Sequence, residues 1–508
     1  MVSLRRINAP ALVYRLESMS AEWREYSYRF IAQEKTPPAG LELALRGSGA
    51  GKKIWLDDIS LREAKPVPAA FRDEVTETLR ILRPGYLRDW QGQLGDRFEN
   101  RLAAIGARRA FRYRPGDETI YGYSLPEFLE LCKKVGARPW VVLPTTWTDR
   151  EWLEAGRFLH DEADEKGFDE IVVEFGNENW NSIFRPAGIM NAEKLLQASE
   201  RAFRLMQEGS EGDNRIVPVN GLQFGNLAIF NQKSAKHLNT KLFAVAPYYA
   251  YSLPETTEPM QTLPALFPDD RKLFRELQEA TAATHTEPAI YEMNAHTLEP
   301  GPPPEEVSRI VSSSAAGTAL LFRSLTAMEY GYHRQCMYSL AGFDTYRKDQ
   351  KLVRLFGLTR DLSGAGRFRP TGLAMAIANR AIGGELHKMK SSAAGDGEEK
   401  VEVLAFLDRG EWKFVAASKS AEELQITLTF PGGGGSLPTT LLSMQGESPL
   451  SNNELHEDVV IRSGPLRVQG RIVQFQLKPY GAVAGVSFQD SQFESLLKEN
   501  GPSSPLPH

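Results

Sequence analysis

Three hydrophobic patterns follow one another along the chain, and each predicts a different architecture. In the first, from Leu12 to Leu61, polar and apolar residues alternate, as in WREYSYRF and IWLDDISL. A period of two is typical of half-exposed strands and predicts three or four antiparallel strands. The Pro-rich sequence AKPVPAA, from Ala64 to Ala70, indicates a linker that ends this segment.

The second pattern, from about Phe71 to Arg380, alternates short apolar runs with amphipathic helical stretches. The runs are GYLRDW, RPWVVLP, EIVVEFGNE, RIVPVNG, LFAVAPYY, PAIYEMN and RQCMYSLAG. Strands and helices in alternation predict βα units and a parallel sheet. With one more strand in the weakly patterned stretch from Ala107 to Arg114, the count favours a closed (β/α)8 TIM barrel over an open α/β sheet.

The third pattern is a return to alternation, in VEVLAFLDRG, EWKFVAAS, LQITLTF and RIVQFQLKPYGAVAGVSF. It predicts a second all-β domain, a sandwich. The predicted fold class is therefore α/β: a TIM barrel with a β-sandwich to which the N-terminal strands also contribute. The predicted boundaries are an N-terminal strand segment at 1–64, the barrel at 71–382, the sandwich at 385–488 and a polar tail at 489–508.

Composition and charge exclude several functional classes. The 508 residues include 60 Lys and Arg against 65 Asp and Glu, a formal net charge of −5, which argues against a nucleic-acid partner. Cys132 and Cys336 have no CxxC neighbour, so neither a disulfide framework nor a zinc cluster is predicted. No run reaches the ~18 apolar residues of a membrane-spanning helix.

The N-terminal sequence bears on export. MVSLRRINAP lacks the apolar region of a signal peptide. A soluble chain without a membrane partner is expected, and a signal peptide removed beforehand would leave the same sequence. Localisation and oligomeric state are not predicted.

Two glutamates at strand ends carry the strongest chemical signal. In EIVVEFGNENWNS, Glu178 follows a β-rich run and is flanked by amides and an aromatic residue; in EPAIYEMNAH, Glu292 ends a later strand. Because catalytic residues of TIM barrels stand at the C-terminal ends of strands, both carboxylates are expected to meet near the barrel axis. Such a pair is what glycoside hydrolysis requires, one carboxyl group as acid and the other as nucleophile or base. Taken singly, each Glu is also consistent with a helix cap or a solvated loop.

The sequence around these glutamates resembles that of a known family. GNE at strand four, the Tyr-rich end of strand six in AVAPYYAY and IYEMN at strand seven look like the clan A glycoside hydrolases, and most of all the α-L-arabinofuranosidase family. YSLPEFLELCKKVGARPW resembles that family's third helix and strand, and RPTGLAMAIANRAIGGELHK its exit into a C-terminal β-sandwich. The resemblance covers about Gly85 to Phe488.

The resemblance implies a retaining mechanism. It makes Glu178 the acid/base and Glu292 the nucleophile, with the carboxylates ~5 Å apart. It makes Asn177 the amide that binds the sugar's 2-hydroxyl. No cofactor or metal is implied for the reaction, and the expected partner is a carbohydrate.

Three further positions match residues around the nucleophile. Tyr249 matches the strand-six Tyr that hydrogen-bonds the nucleophile, with Tyr248 as the alternative if the register differs by one. Arg88 matches the Arg near the nucleophile, where a charge-assisted hydrogen bond would keep Glu292 ionised.

Departures from the family pattern leave the substrate open. Pro247 stands where the family has His, Tyr338 where the clan commonly has Trp, and strand three ends in PTTWTD. These positions line subsites, so an exo-acting arabinofuranosidase and an endo-β-glycanase, such as an endoglucanase or xylanase acting on plant-type polysaccharide, both remain.

Aromatic side chains supply candidate sugar platforms, although large aromatics also fill cores. His296, four residues after Glu292, is a further candidate for substrate binding. The aromatics that follow predicted strands are Trp90, Trp147, Trp180, Tyr248, Tyr251, Tyr338 and Phe343.

The N-terminal segment carries a resemblance of its own. EWREYSYRFIA followed by IWLDDISL is similar to the last half of a carbohydrate-binding jelly-roll module. Asp57 and Asp58 are oxygen donors suited to a structural Ca²⁺, or else solvated strand-end carboxylates. The segment is expected to augment the C-terminal sandwich.

Two rival classes are weighed against the hydrolase. A non-catalytic glycan-binding protein would need the aromatic platforms but not both Glu178 and Glu292. A nucleotide-dependent enzyme would need a phosphate-binding loop; GSGAGKK at Gly47 lacks the Gly and the Ser or Thr of that motif.

Overall fold

The computed structural model describes part of the chain and divides it into two compact units, Met1–Ala70 and Phe71–His508. The described residues do not include Asp58, residues 109–114 of a predicted strand or, apart from Phe493, the predicted tail at 489–508. The side chain of Phe343 also lies outside them. The described residues are 2–5, 12–15, 21–30, 42–46, 53–57, 59, 70–90, 96–105, 107–108, 122–181, 184, 188–232, 238–256, 258–355, 357–362, 368–389, 400–432, 434–487 and 493.

The N-terminal unit contains a three-stranded antiparallel sheet in the order β2-β1-β3. Its strands are β1 (Val2–Arg5), β2 (Leu12–Tyr14) and β3 (Glu42–Leu45). WREYSYRF and IWLDDISL, which the alternation predicts as strands, form none in their described parts, and Trp23 and Trp55 are exposed there. All described strand pairings of this segment are internal, so its addition to the C-terminal sandwich stays a prediction.

Helices and strands alternate through the first part of the second unit, as predicted. Two 3₁₀ helices, Ala228–Asn231 and Pro259–Leu266, interrupt the loops. The elements are α1 (Asp73–Leu82), β4 (Tyr86–Asp89), α2 (Phe98–Leu102), α3 (Leu125–Val135), β5 (Arg138–Leu143), α4 (Asp149–Lys166), β6 (Ile171–Phe175), α5 (Ala192–Gly209), β7 (Ile216–Leu222), β8 (Leu242–Val245), α6 (Arg271–Ala282), β9 (Glu287–Ile290), α7 (Pro304–Val311) and α8 (Ser314–Glu329).

Local sequence explains where these helices begin and end. Ser124 and Glu127 form a capping box before α3, and Gly136 ends it in the left-handed conformation. Thr148 caps α4 in the same way, and Gly167 ends it. Capping groups at the start of a helix satisfy the backbone donors that its first turn leaves unpaired, and the left-handed glycine at its end lets the chain leave the helix before the next strand.

Strands β4 to β9 form one parallel sheet in chain order. Beyond β9, Gln335 makes a parallel bridge to Ile290, which adds a seventh strand position at RQC. β4 pairs directly with β5, leaving no place between them for the strand predicted from Ala107 to Arg114. No eighth barrel strand occurs within the described ranges.

The sheet is curled into a barrel. Glu170, at the start of β6, accepts hydrogen bonds from Tyr86 at 2.7 Å and from Arg334 at 2.7 and 2.9 Å. Tyr86 lies on the first strand of the sheet and Arg334 at the seventh position, so the three side chains meet across the N-terminal end. The interior is filled by side chains of these strands, from the large Trp140 of β5 to small and branched residues of β6 to β9, as in other packed (β/α)8 barrels.

The remaining chain forms a hairpin, a buried helix and the predicted sandwich. The sandwich has a six-stranded sheet, β12-β13-β14-β20-β16-β17, and a three-stranded sheet, β15-β19-β18. The elements are β10 (Phe343–Tyr346), β11 (Leu352–Leu355), α9 (Pro370–Ala381), β12 (Glu385–Lys388), β13 (Val401–Asp408), β14 (Glu411–Ser418), β15 (Leu424–Thr429), β16 (Thr440–Gly446), β17 (Val459–Pro465), β18 (Arg467–Gln469), β19 (Ile472–Leu477) and β20 (Ala482–Val486).

Helices α8 and α9 join the sandwich to the barrel. Nearly every residue of both is buried, and their apolar side chains share one core with residues of β13, β14 and β16. Within this contact, Thr318 of α8 donates to the carbonyl of Tyr480, and Glu402 of β13 pairs with Arg271 of α6. These contacts hold the barrel against the sandwich. The candidate residues lie at the ends of the barrel strands.

None of the described helices combines the length and the apolar character that crossing a bilayer demands. Among the described residues, no group of three or more His, Cys, Asp and Glu side chains is arranged to hold a metal ion.

Candidate active site

The turn after β6 presents Glu178 to the barrel axis. Gly176 has φ of +64°, and a Cβ there would lie 2.5 Å from both Thr145 Cγ2 and Asn179 Oδ1, so the turn requires glycine. Glu178 itself adopts φ of +43°, which is rare for a residue with a side chain. Strained backbone of this kind is concentrated at functional sites, where the surrounding structure holds it in place.

Glu292, two residues after β9, is held at both carboxylate oxygens. Arg88 Nη1 donates to Oε1 at 2.7 Å, and the hydroxyl of Tyr248 donates to Oε2 at 2.7 Å. Arg88 lies on β4, the first strand of the sheet, and Glu292 follows the sixth. Because the barrel closes, the two side chains meet although four strands lie between theirs in the sheet order.

The structure favours the alternative register for the tyrosine, since Tyr248 rather than Tyr249 reaches Glu292. β8 ends at Val245, and the next residues turn so that Tyr248 contacts the barrel interior while Tyr249 packs outside it. The hydroxyl of Tyr249 is buried and has no hydrogen-bond partner among the described residues, and Arg323 lies 5.3 Å from its ring centre. Tyr249 is therefore a core residue.

Arg88 is the centre of a buried polar network. Besides Glu292, its guanidinium donates to both oxygens of Glu174, at 2.7 and 2.9 Å, and to Asn177 Oδ1 at 2.6 Å. Trp140 Nε1 adds a hydrogen bond to Glu174 at 2.8 Å. Arg88 thus fixes the orientation of Glu292 and of the amide next to Glu178.

The described hydrogen-bond donors of Glu178 are neutral. Asn181 Nδ2 donates to Oε2 at 2.8 Å, and the hydroxyl of Tyr291 lies 3.4 Å from Oε1. Burial, together with the negative charge of Glu292, raises the pKa of Glu178 to about 7. A carboxyl group with such a pKa holds a proton through much of the neutral range.

The two glutamates therefore differ in electrostatics. Burial raises the pKa of Glu292, but the charge of Arg88 and the Tyr248 hydroxyl both oppose that shift. Among the described residues no cation lies within hydrogen-bonding distance of Glu178, whereas Glu292 is ion-paired to Arg88, so these contacts favour the proton on Glu178. One protonated acid and one oriented carboxylate are the two groups that glycosyl transfer to an enzyme needs.

The predicted tryptophan platforms lie in different surroundings. Trp147 is buried between α2 and α4, in edge-to-face contact with Phe98 and Trp152, and its Nε1 donates to the carbonyl of Asp96. Its prediction as a platform is corrected, because it fills the core behind the strand end. Trp90, at the end of β4, is 38% exposed. Trp180 is half-buried beside Glu178, with its Nε1 unpaired among the described residues.

One wall of aromatic rings leads outward from Glu292. The ring centre of His296 lies 4.8 Å from that of Tyr248 and 5.3 Å from that of Tyr251, which is 50% exposed. Tyr338 meets Tyr248 edge to face at 6.3 Å. Lys348 of the hairpin β10–β11 pairs with Glu299, which joins this hairpin to the loop after Glu292.

Sequence reasoning missed three residues of the site. Glu174 is fully buried on β6, four residues before Glu178, and a lone Glu inside an apolar strand is the signal that could have found it. Tyr291 precedes Glu292 in the sequence, and Asn181 follows Glu178 by three residues. No sequence pattern marks Tyr291 or Asn181, because their contacts with Glu178 depend on how the turns after the strands fold.

Solved arabinofuranosidase structures share this fold. The α-L-arabinofuranosidase from Thermotoga maritima in complex with arabinose aligns with a TM-score of 0.58 at 16% identity, over 83% of this chain and 92% of that one. The family 51 enzyme from Bifidobacterium longum aligns with 0.59 at 12% identity, over 82% and 89%. The family 51 arabinofuranosidase from Xanthomonas axonopodis pv. citri aligns with 0.56 at 13% identity, over 82% and 90%.

These alignments confirm the predicted fold class, a TIM barrel with a β-sandwich. No family model matches the sequence, and no curated protein matches it.

Proposed function

We propose that the chain is a retaining glycoside hydrolase in which Glu292 is the nucleophile and Glu178 the acid/base. The observation that carries the proposal is the electrical difference between two carboxyl groups at strand ends of one barrel. Glu292 is ion-paired to Arg88 at 2.7 Å, whereas the pKa of Glu178, beside neutral donors, is raised by burial to about 7. Retaining glycosidases need this division of labour.

In the first step a Glu292 oxygen attacks the anomeric carbon, and the bond from that carbon to the leaving oxygen breaks. The proton of Glu178 passes to the leaving oxygen, which departs as a neutral hydroxyl group. In the second step Glu178, now a carboxylate, takes a proton from water as the water oxygen attacks the same carbon. The bond to Glu292 breaks, and both residues return to their starting states.

The neighbouring donors fit these steps. Tyr248 and Arg88 hold the two oxygens of Glu292, so its orientation is set before substrate binds. The Asn177 Oδ1 accepts a hydrogen bond from Arg88, so a contact with the sugar's 2-hydroxyl is made by the donating Nδ2. Tyr291 and Asn181 place Glu178 beside the leaving group. The proposal needs no metal or cofactor.

For the substrate we propose a plant-type polysaccharide or oligosaccharide bearing α-L-arabinofuranosyl units. Support comes from the similar solved structures, which are arabinofuranosidases by name. A second candidate, an endo-β-glycanase, is favoured by the aromatic wall that runs from Tyr248 through His296 to the half-exposed Tyr251. Such a wall offers stacking surface to more than one sugar ring.

The test is a hydrolysis panel run on the wild type and on Glu292→Ala. It contains aryl α-L-arabinofuranoside, β-xyloside and β-glucoside, together with arabinan, xylan and soluble β-glucan. Single arabinose units released only by the wild type support the first candidate, and oligosaccharides released from xylan or β-glucan support the second. Tight glycan binding without hydrolysis of any substrate would contradict both and favour a non-catalytic glycan-binding protein.

A further inference from the structure

A third carboxylate, Glu174, lies inside the barrel below the two strand-end glutamates. It stands in the middle of β6, where a buried charge is costly, and its side chain is entirely inaccessible to solvent. Gly221 on the neighbouring β7 leaves room for it, since a Cβ there would lie 3.2 Å from Glu174 Oε1. A side chain of larger size at position 221 would therefore press on the carboxylate.

Glu174 accepts more hydrogen bonds from Arg88 than Glu292 or Asn177 does. Arg88 donates to it twice, through Nε at 2.7 Å and Nη2 at 2.9 Å, and Trp140 donates to it once more. With one edge of the guanidinium fixed in this way, Nη1 is directed at Glu292 and Nη2 also reaches Asn177. A planar guanidinium held by a bidentate contact has little freedom left to turn.

We propose that Glu174 is a positioning residue. It orients Arg88 towards Glu292 and Asn177, and the positive charge of Arg88 is shared between Glu174 and Glu292. The inference rests on the proposed function, since it gives the third carboxylate a part in the same reaction. Glu174 does not touch the reacting atoms, because neither of its oxygens is exposed and both accept hydrogen bonds from Arg88.

The charge of Glu174 acts on Glu292 in a defined direction. A nearby negative charge disfavours ionisation, and Glu174 accordingly raises the pKa of Glu292 against the lowering effect of Arg88. Without Glu174, Arg88 would neutralise Glu292 alone, and Glu292 would be a more acidic and weaker nucleophile. The other titratable or charged groups around Glu292 are Arg88 on β4, Glu178 after β6, Tyr248 after β8, Tyr291 beside it and Cys336 at the seventh strand position.

The experiment compares Glu174→Gln and Glu174→Asp with the wild type. Gln has nearly the same size, removes the charge and leaves one oxygen to accept from Arg88, because its amide nitrogen is a donor. Asp keeps the charge but is one methylene too short to hold Arg88 in place. The matched control is Glu170→Gln, which removes the charge of a carboxylate paired with Arg334 at the opposite end of β6. Selective ¹³C labelling of Glu side chains follows each carboxyl titration by NMR, and Glu292→Gln identifies the Glu292 signal.

In Glu174→Gln we expect Glu292 to titrate about one pH unit lower than in the wild type, and the acid limb of kcat/KM to move with it. Glu174→Asp should keep the acid limb in place while kcat/KM falls by about tenfold, because Arg88 loses its orientation. Glu170→Gln should leave the Glu292 titration unchanged. If the Glu174–Arg88 ion pair served stability alone, Glu174→Gln would not shift the Glu292 titration, and Glu174→Asp would not lower kcat/KM.

An unchanged Glu292 titration in Glu174→Gln, or a shift equal to that of Glu170→Gln, would overturn the inference. If Glu174→Gln does not fold, Glu174→Asp decides, because an undiminished kcat/KM there would exclude a positioning role. The titration needs no turnover. A wild type inactive on every glycoside would thus contradict the proposed function, while the NMR comparison would still decide whether Glu174 acts on Glu292.

Discussion

The hydroxyl of Tyr248 donates to Glu292 Oε2 at 2.7 Å, while the hydroxyl of Tyr249, the next residue, is buried with no partner in the part of the chain that the structure describes. Two adjacent tyrosines thus provide a matched pair of positions. Only the first one contacts the proposed nucleophile.

Replacing Tyr248 by Phe removes a hydrogen bond to a charged group, Glu292. Such a bond contributes about 1.5–3 kcal/mol, so kcat/KM of Tyr248→Phe should fall by roughly 10- to 100-fold. Tyr249→Phe removes a hydroxyl that bonds nothing in the structure and should change kcat/KM by less than about twofold. Equal losses in both variants would contradict the placement of Tyr248 at Glu292.

The alkaline limb of the pH profile reports on Glu178. Because the first step needs the protonated acid, kcat/KM should decline as pH rises through about 7, the pKa to which burial raises Glu178. Asn181 donates to Glu178 and favours its charged form. Asn181→Ala should therefore move the limb to higher pH by about half a unit or more. A limb that stays in place, or moves to lower pH, would disagree with this role of Asn181.

The raised pKa of Glu178 also affects folding stability. The folded state binds this proton more tightly than the unfolded state, in which an ordinary Glu has a pKa near 4.5. The contribution of this proton to the free energy of unfolding is therefore fully present below about pH 4.5. It is lost as pH rises through about 7, which lowers the free energy of unfolding by roughly 3 kcal/mol.

Glu178→Gln removes that loss because the amide carries no charge at any pH. At pH 8 its melting temperature should exceed that of the wild type by about 3 °C, and at pH 4.5 the two should nearly coincide. Differential scanning calorimetry at both values measures this. A variant less stable than the wild type at pH 8 would show that Glu178 is not a strained carboxylate.

Glycine at position 176 is required by space as well as by backbone conformation. Gly176→Ala would place a Cβ 2.5 Å from Thr145 Cγ2 and Asn179 Oδ1 and should displace Glu178, with loss of most activity. The control is Gly167→Ala, since Gly167 also has positive φ, +68°, but its nearest contact would be Lys133 Nζ at 3.7 Å. This control should cost about 1 kcal/mol of stability and leave kcat unchanged. Full activity in Gly176→Ala would refute the argument.

The barrel was predictable because its strands are buried on both faces. Runs such as WVVL in β5 and IVV in β6 are continuous and apolar, and motifs at their ends mark the catalytic face. The N-terminal strands were less predictable. WREYSYRF alternates as a strand does, yet residues 23–30 form no strand with any other described segment, because alternation does not supply a partner.

The side chains of the candidate site were predictable only where a strand sets their direction. Glu178, Glu292, Asn177 and Arg88 meet as expected, since sequence motifs mark the strands that carry them. Which of two adjacent tyrosines reaches Glu292 was not predictable, because β8 ends at Val245 and strand alternation does not extend into the turn that follows. Trp147 shows another limit, because a tryptophan after a strand fits both a core and a sugar platform.

The most direct test of the central claim is to trap the glycosyl-enzyme. With Glu178→Ala and a dinitrophenyl glycoside of the sugar identified by the panel, the first step needs no acid, whereas the second lacks its base, so the intermediate should accumulate. Peptide mass spectrometry should then find one sugar residue attached at Glu292. Attachment at another residue, or no attachment together with an inverted product by ¹H NMR, would contradict the account.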